Sequence, residues 1–308
     1  MQIRTDLAME SQALSPSPSG VTSRRTAHGP LEEIYVKVES DEAAKALEKD
    51  KGAYITLYHP LLSHADTEER KEIIHSLARV VRELTPKGGD VLVVGLGNRH
   101  MTADSLGSRV VEDLLITRHM KDVTEGELKN RLRGVCGVAP GVLGVTGMET
   151  AEMIKGITEH VHPAAVIAID ALAARESSRI GTTIQVTDTG IRPGSGVGNH
   201  RAGLNRDTLG VPVIAVGVPM VVYAAVIARD ALSLLLRDMD MSEDEHAQAM
   251  DGMVEQITRQ GMGELVVTPR EVDELVGRVS RLIADGLNLA LQPELSLDEI
   301  QYLSHDGP

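Results

Sequence analysis

The chain contains no Phe and no Trp, only five Tyr, and a single Cys in 308 residues. A core without large rings must be built from Val, Ile, Leu, Ala and Met. The shortage also excludes a stacking platform for single-stranded nucleic acid, which needs exposed aromatic faces. A basic face is missing too: 31 Lys and Arg stand against 45 Asp and Glu, a formal net charge of -14. That is the opposite of what a phosphate-backbone binder presents. The lone cysteine, Cys136, excludes an intrachain disulfide framework and a multi-cysteine zinc site, and it fits a reducing compartment. No apolar run reaches the roughly 18–20 residues that span a bilayer. The start, Met1-Gln2-Ile3-Arg4-Thr5-Asp6, lacks the apolar centre of a secretory signal. The expectation is an acidic, globular, cytoplasmic protein that binds neither nucleic acid nor membrane directly.

What is present is an alternation of short buried strands with amphipathic helices. Val91–Val94, Val166–Ile169 and Val213–Val216 are wholly apolar runs, the mark of strands covered on both faces. Helical stretches, Ser105–Met120 and Thr150–His160, lie between them, which implies crossover units and a mainly parallel sheet. Upstream, Glu33–Glu39 and Ala53–Leu57 read as two more strands. The helix from about Thr67 to Leu84 has one apolar stripe, Ile73, Ile74, Leu77, Val80, Val81 and Leu84. Asp66 and Glu69 have the spacing of a capping box at its start. The C-terminal third reads as helical, with boxes at Ser242/Glu245 and Thr268-Pro269-Arg270-Glu271. Ser11–Pro30, rich in Ser, Pro and Gly, reads as flexible. Residues 1–30 are thus expected to be an N-terminal piece with a flexible segment, and residues 31–308 a single α/β domain.

In open parallel sheets ligands bind beyond the C-terminal ends of the strands. Two carboxylates fall there: Asp170, directly after Val166–Ile169, and Asp104, on the connection that follows Val91–Val94. Each also fits as a helix N-cap, Asp104 before Ser105 and Asp170 before Ala171–Ala174. In one crevice, by contrast, the two would form a carboxylate pair. Like charge and burial then raise one pKa, so that one group holds a proton while the other activates water.

Other motifs are weaker. Gly95-Leu96-Gly97 resembles the start of a dinucleotide loop, but His100 stands where the third glycine belongs. Asp188-Thr189-Gly190 matches a triplet of all-β proteases but sits in an α/β chain, where an Asx-turn is the simpler role. The loop containing Gly194, Ser195, Gly196 and Gly198 could cradle an oxyanion, although its spacing is not that of a nucleophile elbow. Cys136 fits a small buried residue better than a nucleophile. His119, His160 and His162 read as helix-end residues. Asp104, Asp170 and His200 form a weak alternative metal set; otherwise no metal or cofactor is expected.

These same residues carry a family resemblance. The chain resembles the germination protease of endospore-forming bacteria in Arg4-Thr5-Asp6-Leu7-Ala8, Val93-Val94-Gly95-Leu96-Gly97-Asn98, Thr102-Ala103-Asp104-Ser105-Leu106-Gly107 and Leu114-Leu115-Ile116-Thr117-Arg118-His119. The order continues through Ala139-Pro140-Gly141-Val142, Thr146-Gly147-Met148-Glu149-Thr150 and Ile167-Ala168-Ile169-Asp170-Ala171-Leu172. It closes with Asp188-Thr189-Gly190-Ile191, Gly194-Ser195-Gly196-Val197-Gly198-Asn199 and Val267-Thr268-Pro269-Arg270-Glu271.

The resemblance implies a phosphorylase/hydrolase-like α/β fold: a mainly parallel, mixed sheet sandwiched by helices, with an N-terminal β-containing extension and a helical C-terminal part. It implies an endopeptidase that degrades small acid-soluble spore proteins in the spore core at germination, with Asp104 and Asp170 at the positions held essential. It further implies a self-processing precursor cut near Asp6 and Leu7, and a homotetramer. The fold relationship implied to hydrogenase-maturation endopeptidases, which place two carboxylates and a histidine on a metal, leaves a divalent ion open as an alternative. Met220, Tyr223 and His200 stand where the family usually has Thr, Asp and Lys, and Tyr223 keeps a catalytically silent peptide-binding relative as an alternative.

Overall fold

The computed structural model describes residues 5–14, 19–122, 130–192, 202–236, 252 and 265–305. The apolar runs become strands of one nine-stranded sheet in the order β1-β2-β3-β7-β8-β6-β4-β5, with β9 pairing the far end of β8. In chain order these are β1 (Val21–His28), β2 (Leu31–Val38), β3 (Gly52–Tyr58), β4 (Val91–Gly95), β5 (Val135–Val138), β6 (Ala165–Ala174), β7 (Thr183–Thr187), β8 (Val213–Tyr223) and β9 (Val266–Val267). The helices are α1 (Ala8–Leu14), α2 (Asp41–Leu47), α3 (Thr67–Leu84), α4 (Leu106–Glu112), α5 (Leu143–Thr146), α6 (Thr150–Val161), α7 (Arg206–Leu209), α8 (Ala224–Leu236), α9 (Val272–Leu291) and α10 (Leu297–His305).

The neighbours β5, β4, β6 and β8 run parallel, while β7, β3, β2 and β1 continue the sheet in antiparallel pairs. The α/β expectation holds, and the sheet is mixed. Side chains alternate between the two faces of a strand. On one face Ile167 and Ile169 of β6 join Val91, Val93, Ile214 and Val216 under α3, α4 and α9. On the other, Val166 and Ala168 pack with Ile154 of α6, while Leu172 and Ala174 pack with Leu7 and Ala8 at the N-terminus.

Several local expectations need correction. The segment read as flexible, Ser11–Pro30, contains the end of α1 and the whole of β1, which pairs in register with β2 from Val21↔Val38 to His28↔Leu31. The helix read as Ser105–Met120 ends at Glu112: the chain turns so that Leu114 and Leu115 are buried, and the Leu115 N–H donates to Asn288 Oδ1 at 2.9 Å. The box at Thr268 does not form, because its hydroxyl donates to the Met220 carbonyl at 3.0 Å and α9 begins only at Val272. The box at Asp66 does form, with both reciprocal hydrogen bonds. The Ser242/Glu245 box lies outside the described residues.

Met220 is a β-bulge. Leu172 pairs with Pro219 and Ala173 with Val221, so Met220 is the extra residue. One inserted residue flips every later side chain to the other face. Met220 still follows Ile214, Val216 and Val218 onto the α9 face, whereas Val222 is turned to the Leu172/Ala174 face.

Candidate active site

The site is a step in the sheet. β4 ends at Gly95, which is paired with Ile169, whereas β6 runs on for five more residues. Leu96 makes the last bridge, its N–H donating to the Ile169 carbonyl at 2.8 Å. Asp170 is the first residue past that step. It lies inside the strand and not at the head of a helix, so the N-cap reading fails: Ala171–Ala174 are extended. By alternation Asp170 shares a face with Ala168 and Leu172, which belong to two different apolar clusters. It sits in the seam between them, only 7% exposed. Its Oδ1 accepts from the Ala171 N–H at 3.0 Å. Across the ladder stands Gly217, where a Cβ would lie 2.5 Å from the Leu172 side chain. The Leu172 side chain fills the space that a β8 side chain would otherwise take at that position.

Asp104 approaches from the other side. It closes a 3-10 turn, Thr102–Asp104, that packs against β6, β8 and α9. The cap of α4 is Ser105, without a side-chain bond, so Asp104 does not serve as the cap either. Its Oδ2 instead accepts from the Asn98 N–H at 2.8 Å. Gly97, at φ +96°, lies so close that a Cβ would meet the Asp104 carbonyl oxygen at 2.0 Å. The glycines of Gly95-Leu96-Gly97 therefore serve close packing around an acidic turn. Asp104 occupies the Asn98 N–H that a dinucleotide phosphate would need, which argues against that reading.

The Asp6–Leu7 stretch docks on the same strand. Asp6 and Ala173 exchange two bonds: the Asp6 N–H donates to the Ala173 carbonyl at 3.0 Å, and the Ala173 N–H donates to Asp6 Oδ2 at 2.8 Å. Gln185 spans Leu7, bonding the peptide groups on either side of it. Its amide donates to the Asp6 carbonyl at 3.0 Å, and its oxygen accepts from the Ala8 N–H at 2.8 Å. Leu7 is fully buried. The buried Glu10 carboxylate accepts from the backbone N–H groups of Arg175 and Glu176 at 2.8 and 3.0 Å, and from the Thr5 hydroxyl. Burial pushes the Glu10 carboxyl up in spite of those bonds. Burial also holds the Lys49 ammonium, which donates to the Thr5 carbonyl at 2.8 Å, below its ordinary value, against the pull of Asp6, Glu48 and Glu10.

The remaining motifs separate from this site. Asp188 makes no local turn the centrepiece: its carboxylate accepts from the Ala53 N–H at 2.8 Å and ties β7 to β3. The Cys136 thiol is half-buried and burial pushes its pKa up, which is the reverse of nucleophile activation. His160 lies in the last turn of α6, His162 is its left-handed C-cap, and His119 sits in a 3-10 turn. The loop Gly194, Ser195, Gly196, Gly198 and His200 lie outside the described residues. Among the described residues no three His, Cys, Asp or Glu gather as metal ligands, and no helix is long and apolar enough to cross a membrane. Sequence reasoning missed Glu10, Lys49, Gln185 and Gly217. Glu10 lies two residues beyond the matching stretch Arg4–Ala8; no spacing signalled the other three.

The germination protease family model matches residues 3–262. The chain belongs to the germination protease family. It is 40% identical to the germination protease of Clostridium tetani over 99% of this chain and 100% of that protein. It is 42% identical to that of Clostridium acetobutylicum, covering 97% and 98%, and 36% identical to that of Bacillus subtilis, covering 98% and 97%. A solved NiFe hydrogenase maturation protease, HycI from Thermococcus kodakarensis, aligns with 68% of this chain and 98% of its own at 17% identity. Its TM-score is 0.33, too loose a superposition to carry an argument about fold or site. Membership supports a peptidase, and the docked N-terminal segment lies within the matched range.

Proposed function

We propose that this germination-protease relative is an endopeptidase that cleaves small acid-soluble spore proteins in the spore core, with Asp104 and Asp170 activating the attacking water. The observation that carries this reading is the step between β4 and β6. It sets the Asp104 turn against the strand that bears Asp170. One carboxylate takes a proton from water as it attacks the carbonyl, and the other supplies a proton to the departing amine. The loop containing Gly194, Ser195, Gly196 and Gly198 is the proposed source of backbone donors for the tetrahedral oxyanion.

Self-processing at Asp6–Leu7 belongs to the same proposal, as does a homotetrameric assembly. Gln185 bonds the peptide groups on either side of Leu7, and the segment rests on the strand of Asp170, which supports a role in control of the site. No cofactor is part of the proposal.

The test is cleavage of a purified spore-protein peptide by the full-length chain. Asp104→Asn and Asp170→Asn, each folded, are expected to lose at least about 10³-fold in kcat/KM. Near-wild-type turnover by either variant would remove that residue from the mechanism. Loss of activity with a chelator, restored by one specific divalent ion, would replace the metal-free pair with a metal centre.

A further inference from the structure

Between α4 and α9 lies an open cavity of about 330 Å³ that the peptidase chemistry does not use. Three guanidiniums line it, those of Arg99, Arg109 and Arg281, with the buried hydroxyls of Ser108 and Ser280 and the α-carbon of Gly277. Glu112 and Asp113 line it too, so three guanidiniums face two carboxylates and one positive charge is left without a counter-ion in the lining. Arg99 has one, since it pairs with Glu112 at 3.0 Å. The guanidiniums of Arg109 and Arg281 have neither an ion pair nor a hydrogen bond among the described residues. Arg109 is only partly exposed, and a guanidinium drawn partly out of water gains from a counter-ion. Gly277 is interior to α9, where glycine costs roughly 1 kcal/mol relative to alanine. A Cβ there would stand 3.7 Å from Arg109 Nη1, so the glycine widens the cavity at that guanidinium.

We infer that this cavity binds a singly protonated phosphate, either inorganic hydrogen phosphate or a phosphate monoester in its monoanionic form. Arginine forks match two oxygens of a tetrahedral oxyanion. The other lining groups choose among oxyanions. The Ser108 hydroxyl already donates to the Ser105 carbonyl at 2.9 Å, and the Ser280 hydroxyl to the Gly277 carbonyl at 3.2 Å. Their remaining capacity is as acceptors. Glu112 and Asp113, which also line the cavity, accept only. A ligand here must present charged oxygens to the arginines and an O–H to the acceptors. Hydrogen phosphate has both; sulfate at neutral pH has no proton to give. The carboxylates, which would weaken a site for any bare anion, thus become the selecting element.

The experiment is a calorimetric titration of the full-length chain with inorganic phosphate, with sulfate and with glycerol 3-phosphate, all at one ionic strength set with chloride. The expected result is saturable binding of one phosphate per chain with a Kd below about 1 mM, and sulfate at least tenfold weaker. Tighter binding of glycerol 3-phosphate than of phosphate would identify an ester as the ligand, and the reverse order free phosphate; both orders support the site. Arg281→Gln, at an exposed position that does not threaten folding, and Arg109→Gln are each expected to weaken binding at least tenfold. Gly277→Ala weakens it by a smaller factor. Equal affinity for sulfate, no saturable heat, or an unchanged Kd in the Arg109→Gln/Arg281→Gln double variant would overturn the assignment, the last marking an adventitious ion only.

Discussion

The two halves of the sheet solve different problems. In the parallel half, β4 is buried along its whole length and β6 at all but one position, with helices on both faces. In the antiparallel half, β1 has no fully buried residue and is held to β2 chiefly by its ladder. The proposed catalytic pair lies where the parallel strands end at different heights, which lets the buried Asp170 side chain stand in the seam between two apolar clusters. The antiparallel half supplies Gln185 and Lys49, which fix the N-terminal segment against β6. One half thus builds the site, and the other holds a segment of the chain beside it.

The strongest way to break this contrast is at the β4–β6–α4 junction. A Cβ on Gly107 would stand 2.4 Å from the Leu96 nitrogen and 2.6 Å from the Ile169 carbonyl oxygen, both backbone atoms that cannot swing aside. Gly107→Ala is expected to cost about 3 kcal/mol and to lower Tm by roughly 6–12 °C, read by thermal unfolding. A Tm within 2 °C of wild type, on the scale of about 1 kcal/mol or less, would mean that the junction is looser than drawn.

The next effect belongs to the docked segment. Leu7→Ala removes a fully buried side chain and is expected to cost about 2 kcal/mol of docking, near the low end because a terminal segment relaxes readily. Limited proteolysis should remove the N-terminal segment much faster while the sheet stays protected. Equal protection would show that the hydrogen bonds alone hold the segment.

A smaller, pH-dependent effect comes from Glu10. Its folded pKa is raised above 4.5 by burial, so its stabilising contribution is complete below about pH 4.5 and is lost as pH rises through the raised value. Glu10→Gln, which cannot titrate, should flatten this dependence. The Tm of wild type minus that of the variant should therefore increase as pH falls from 8 to 4. A constant difference would contradict the assignment. Smallest of all, Thr22→Ala on exposed β1 should change stability by less than about 0.5 kcal/mol, as measured by urea unfolding.

Much of this architecture is legible in the residues. The stripe and capping box of α3 specify that helix from first turn to last, and the apolar runs mark the cores of β4, β6 and β8. The failures have physical causes. Ala171–Ala174 are small and apolar, equally suited to a helix after an aspartate or to a strand, and only pairing with β8 decides. β1 buries almost nothing, so it carries no apolar signature; its partner strand specifies it. Asp104 and Asp170 were readable as carboxylates at strand ends, whereas their step depends on β4 stopping before β6, a difference in length that no spacing encodes. The Glu10–Lys49–Gln185 clamp joins residues far apart in the chain through tertiary contact alone.

The central claim is that Asp104 and Asp170 act on one water as a unit. Single-turnover cleavage rates of wild type, Asp104→Asn, Asp170→Asn and the double variant test it most directly. Groups that act together lose their effect together, so the double variant should be about as slow as the slower single variant. Losses that multiply would show two independent contributions and would contradict the shared site.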